Sequence, residues 1–98
     1  MVRKEIIWSV DAEYKFGEIL NYLDEKFGNK SATDFALRTN MFLDKLSIFP
    51  ELGSIEVEEL NIRGFVLHPN TKLFYTIENN AIILITFFLT KQNPENIR

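Results

Sequence analysis

The chain has 98 residues, a formal net charge of −3, nine Phe and no Cys. That is length for one domain, 1–98, with bulky apolar material for a single core, and it excludes disulfides, zinc–thiolate sites and thiol catalysis. The acidic balance argues against a broad nucleic-acid surface, which needs a basic face, and no segment nears the ~20 apolar residues of a membrane helix. The opening MVRKEIIWSVDAEY does not read as a signal peptide, because Ser9, Asp11 and Glu13 interrupt its short apolar run. The expectation is a cytoplasmic protein with no membrane association.

Lys4–Trp8 (KEIIW) predicts a short strand. Ser9 follows as a helix N-cap, its hydroxyl suited to accept an orphan backbone N–H. Ala12, Phe16, Ile19, Leu20, Leu23 and Phe27 recur at helical spacing and form one stripe. Gly28-Asn29 ends that helix, since both residues tolerate positive φ. Ser31 with Asp34 predicts a capping box for a second helix, which Pro50 stops. Ala32, Phe35, Thr39, Phe42, Leu46 and Phe49 line one side of it. The short link makes the two helices an antiparallel hairpin. Leu37, Met41 and Ile48 form a second stripe, roughly opposite the first at the ~100° step of a helix. Either a sandwiched helix buries it, or it meets a partner or a second copy of the chain.

Pro50–Gly53 predicts a turn. Three strand-like runs follow, Ile62–Leu67, Lys72–Glu78 and Ala81–Leu89, with Asn79-Asn80 as a hairpin turn. The fold class is therefore α+β: an N-terminal strand, a helical hairpin, then a three-stranded antiparallel meander, with the helices on one face of the sheet.

Strand parity then sorts the last hairpin. With Asn79-Asn80 at the turn, Glu78 opposes Ala81, Tyr75 opposes Leu84 and Phe74 opposes Ile85. Strict alternation places Leu73, Tyr75, Ile77, Ile82, Leu84, Thr86 and Phe88 on one face. Lys72, Phe74, Thr76, Ile83, Ile85, Phe87 and Leu89 fall on the other. Helices cover one face only, so the second presents Phe74, Ile83, Ile85 and Phe87, more apolar surface than a monomer leaves without a use. Either the N-terminal strand or the 50s loop folds over it, or a bound protein segment does. Lys72 and Lys91 share its parity, and Arg63 is a third cation that could join them.

Other chemistry is sparse. His68 precedes Pro69 and is expected in an exposed turn. One His without Cys gives no expectation of a metal site, and no nucleotide-binding or nucleophile-elbow motif occurs, so no cofactor is expected.

Trp8-Ser9 before helix one, FPELG after helix two, IRGFVL, KLFYTIENNAIILITFF and the terminal TKQNPE together resemble, in order and spacing, the RelE/ParE superfamily. These are toxins of type II toxin–antitoxin, or plasmid-stabilisation, modules. The likeness runs over nearly the whole chain. It implies the α+β fold read above and a cognate antitoxin whose C-terminal segment wraps the toxin. RelE-like members cut mRNA in the ribosome, which needs a base, cations for the phosphorane and an acid. By resemblance the catalytic candidates are Lys72, Lys91 and Arg63, with Lys where those members often carry Arg, and Ile97 and Arg98 where many carry a Tyr or His. ParE-like members bind DNA gyrase and need only a surface. The resemblance thus implies a toxin that inhibits gyrase by binding. The alternatives are a ribosome-dependent mRNA endoribonuclease and a degenerate, non-toxic interaction module. The expected antitoxin-binding residues are Phe74, Ile83, Ile85 and Phe87, with Leu37, Met41 and Ile48.

Overall fold

Local chemistry sets the first boundary. In the computed structural model, which describes residues 3–67 and 70–89, β1 (Glu5–Trp8) passes through Ser9 into α1 (Val10–Phe27). Ser9 is extended, and its Oγ accepts the Ala12 N–H at 2.9 Å, the N-cap expected of it. Gly28 at φ 100 ends α1 and starts α2 (Asn29–Ile48) in a single residue. Its N–H donates to the Asp24 carbonyl, and its own carbonyl accepts from Ser31 and Ala32. The capping box read at Ser31 therefore does not form. Ser31 already lies inside the helix, and Asp34 pairs with Lys30 at 3.1 Å.

Beyond α2 the chain forms a strand that was not anticipated, β2 (Ser54–Val57). A 3₁₀ turn, Glu58–Leu60, leads on to β3 (Ile62–Leu67), β4 (Thr71–Glu78) and β5 (Ala81–Leu89). The sheet has five strands in the order β1-β5-β4-β3-β2. The pairings are antiparallel except β1 with β5, which is parallel, Ile6 beside Ile82. Asn61, Asn70 and Asn79 take φ of 54, 55 and 52 at the turns between strands, a conformation Asn tolerates better than most residues.

Both helices pack on one face. Ile19 and Leu23 of α1 and Phe35, Phe42 and Leu46 of α2 join Leu73, Tyr75, Ile82, Leu84 and Phe87 in one core. Phe16 and Leu20, expected in this core, are half-buried against it. The buried Thr39 hydroxyl is satisfied by the Phe35 carbonyl one turn back, at 2.9 Å. Phe49, read as part of the α2 stripe, is exposed.

The β4–β5 register is the main correction. From the turn it runs as read, Glu78 opposite Ala81 and Tyr75 opposite Leu84, but Phe74 then opposes Thr86. Ile85 is an extra, bulged residue. A bulge shifts parity by one. Thr86 and Phe88 therefore turn away from the helices, while Phe87 turns into the core at 2 % exposure. There it meets Trp8 at 5.6 Å and Phe16 at 5.3 Å between ring centroids, and Phe16 continues to Phe35 at 5.8 Å. The expectation that Phe87 sits on the open face is thus wrong, and the bulge is the reason.

Phe88 is 58 % exposed. A charge at Phe87 has no water and no partner, whereas one at Phe88 is solvated. Phe87→Asp is expected to abolish folding, by near-ultraviolet dichroism and Trp8 fluorescence. Phe88→Asp should stay within about 0.5 kcal/mol of the wild type in urea.

Candidate partner-binding face

With the helices on one side, no described element covers the other side of the sheet. The register gives its composition. Ile7 adjoins Ile83, Thr76 opposes Ile83, Phe74 opposes Thr86, and Gly64 and Val66 of β3 oppose Phe74 and Lys72. Ile7, Val66 and Phe88 are exposed, and Phe74, Ile83 and Ile85 are half-buried. The covering segments considered from sequence do not cover it. The N-terminal strand extends the sheet beside β5, and the residues after Gly53 extend it beside β3.

Lys72 projects on this face. Its Nζ lies 2.8 Å from the Glu56 carboxylate and 5.5 Å from the Phe74 ring centroid. Glu56 comes from β2, at the register break between Ile55 and Val57. Gly64 makes the contact feasible: a Cβ there would stand 2.9 Å from Glu56 Oε2 and from Lys72 Cε. The ammonium and carboxylate side chains are about one-third exposed, 33 % and 29 %.

Arg63 does not join Lys72. It opposes Tyr75 and so has helix-side parity. Its Nη1 donates to the Gly53 carbonyl at 2.7 Å, with a longer contact to Glu51 at 3.4 Å. Its Nε is buried with no partner among the described residues. The Tyr75 hydroxyl completes this latch, donating to the Pro50 carbonyl at 2.7 Å and accepting the Gly53 N–H at 2.8 Å. Gly53 has no room for a side chain, since a Cβ would lie 2.8 Å from the Tyr75 hydroxyl and from the Gly64 carbonyl. Arg63 and Tyr75 therefore fasten the Pro50–Gly53 loop.

The proposed trio of cations is thus not a cluster. Arg63 and Lys72 sit on opposite faces, and Lys91, like His68, lies outside the described residues. Tyr75 faces the core, and Tyr14 and Tyr22 sit on α1, so no Tyr stands beside Lys72 to act as an acid. Among the described residues no three His, Asp or Glu side chains gather to hold a metal.

The second stripe is a separate surface. Leu37 and Met41 are exposed and Ile48 is half-buried, on a helix whose other side faces the sheet. The helix is not sandwiched along Leu37 and Met41.

Comparison with known proteins adds one decisive observation. A solved structure described as "Chromosomal ParDE TA system from P. aeruginosa" superimposes with a TM-score of 0.75, at 11% identity over 91% of this chain and 98% of that one. The chain has a RelE/ParE-like fold. No family model matches the sequence, and no curated protein does. On the open face the residues missed from sequence were Glu56, Gly64, Val66, Phe88 and Ile7. Glu56 and Gly64 become neighbours only once β2 is recognised, and Phe88 only once the bulge is. No helix among the described residues is long and apolar enough to cross a membrane.

Burial pushes the Tyr75 phenol above its ordinary value of 10.0, opposed by the Gly53 N–H and by Arg63. The folded state favours the neutral phenol. Its stabilising contribution is intact below the unfolded value and lost as pH rises through the higher folded one. Tyr75→Phe, which leaves the Pro50 carbonyl and the Gly53 N–H unpaired, is expected to cost about 1–3 kcal/mol at neutral pH. In urea titrations the gap between wild type and variant should narrow as pH is raised past 10.0.

Proposed function

We propose that the chain is the toxin-type component of a type II toxin–antitoxin module, held inactive by an antitoxin on its open sheet face and acting by binding its target. The observation that carries this is the match in fold, over nearly the whole of both chains, to a protein of a ParDE system. The apolar surface of Phe74, Ile83, Ile85 and Phe88 suits an antitoxin segment, with Phe88 standing where Phe87 was expected. Leu37 and Met41 are a second contact for the same partner. The setting that suits such a module is the cytoplasm.

Within the superfamily we favour the gyrase-binding mode. A cleavage site needs a base, an acid and cations converging on one phosphate. Here Lys72 is engaged by Glu56, Arg63 fastens a loop, and Tyr75 is buried. A surface acting by affinity loses strength by degrees as contacts are removed, whereas a catalytic set fails when one member goes.

Controlled expression tests the reading. Induction without an antitoxin is expected to arrest growth, with loss of negative supercoiling before loss of translation. Lys72→Gln should weaken the arrest partially. Cleavage of ribosome-bound mRNA by purified wild type, abolished in Lys72→Gln, would move the assignment to the endoribonuclease. Absence of arrest would favour the non-toxic module.

For the antitoxin surface, Phe74→Asp should cost about 2 kcal/mol or more of affinity, since it places a charge in an apolar contact. Isothermal calorimetry against a cognate antitoxin checks this. Unchanged affinity in both Phe74→Asp and Met41→Asp would rule out both surfaces.

A further inference from the structure

The outer edge of the sheet at β2 carries features that the open face does not explain. Among the described residues β2 pairs with β3 alone, so its other side is an unpaired row of backbone donors and acceptors there. All four of its residues are exposed. Around it stand solvent-facing aliphatic side chains, Ile55 at 50 %, Val57 at 38 % and Leu60 at 65 %. Interleaved with them are Glu51, Glu56, Glu58 and Glu59. Glu56 is paired with Lys72, but among the described residues Glu51, Glu58 and Glu59 have no ion pair.

We infer that the β2 edge is a docking site for an extended, basic segment of another protein, which would add to the sheet as a sixth strand. The unpaired backbone fixes an extended conformation and supplies the main-chain hydrogen bonds. Ile55, opposite Arg63 on the helix side, and Val57, opposite Ile62 on the open side, offer one apolar contact to each face of the incoming strand. The glutamates fix its charge as positive, for solubility before docking and complementarity after it. The same charges exclude two other occupants. A second copy paired edge to edge would set glutamate against glutamate. A nucleic-acid backbone would meet like charge. The inference does not depend on the toxin reading, because it rests on this edge alone.

The test uses the full chain, labelled with ¹⁵N, and a peptide of about ten alternating Lys and Val residues, long enough to span the edge. Two controls accompany it: a Glu/Val peptide of equal length, and the Lys/Val peptide with alternate amides N-methylated. The Lys/Val peptide is expected to shift the amide signals of Ser54–Val57 and slow their hydrogen exchange about tenfold or more. Both controls should leave them unchanged. Glu58→Lys combined with Glu59→Lys, two exposed substitutions that leave the melting curve in place, should weaken binding about tenfold or more. Three results would overturn the proposal: no binding, shifts confined to other strands, or binding that survives the charge reversal. In the first case the glutamates and the register break serve only to guard a free edge against pairing. Growth arrest by the same Glu58→Lys/Glu59→Lys variant reads the toxin proposal separately, since arrest can persist whether or not the peptide binds.

Discussion

The Ser9 hydroxyl bonds in two directions at once. It accepts the Ala12 N–H, capping α1, and donates to the Ile85 carbonyl at 2.8 Å. Ile85 is the bulged residue of β5, out of register with β4. Next to it, the Ser9 N–H donates to the Leu84 carbonyl at 3.1 Å. One residue thus ends β1, starts α1 and ties down the irregular point of the longest strand. The faces of the sheet follow from that point. Ahead of the bulge Ile82 and Leu84 face the helices; after it Phe87 does, and it closes the ring cluster with Trp8 and Phe16. Without the bulge Phe88 would enter the core and Phe87 would leave it, and the open face would have another composition.

A second constraint acts at the far side of the sheet. Tyr75 and Arg63 both reach the Pro50–Gly53 loop, whose glycine has space for no side chain. This sets where the chain leaves α2 and where β2 begins, and β2 delivers Glu56 over Gly64 to Lys72. The ion pair on the open face therefore depends on a hydrogen-bonded latch on the opposite one. A partly exposed ion pair of this kind contributes little stability, about 1 kcal/mol or less. It places on that face a compensated charge amid apolar side chains.

Much of this was legible in the sequence, and the failures have physical causes. Both helices, β1 and the three later strands were foreseen because their periodicities are strong and Gly28, Pro50 and Asn79 punctuate them. The α+β class followed, and so did the family-like fold, from the order of weak motifs along the chain. β2 was missed because Ser-Ile-Glu-Val is short, lies at an edge and buries none of its residues, so no alternation marks it. The composition of the open face was misread at Phe87 for a single reason. Parity arithmetic assumes an unbroken ladder, and Ile-Ile-Leu-Ile-Thr-Phe-Phe is apolar on both sides, so nothing in it shows where one residue is extra. Arg63 was misread in a similar way. Its parity matches Tyr75, but that could be applied only once the β3–β4 register was known.

The parallel pairing of β1 with β5 joins segments at the two ends of the described chain, Ile6 beside Ile82. Such a contact closes a very long loop and cannot form before the last strand exists. During synthesis, at ~5–20 residues per second, the first strand waits several seconds for its neighbour. Trp8 waits with it, because Phe87 is one of its ring partners. The helical hairpin is built from local contacts, so its formation does not wait on that closure. A nascent or truncated chain that lacks β5 therefore has no finished sheet, and the open face is not assembled until β5 has been made.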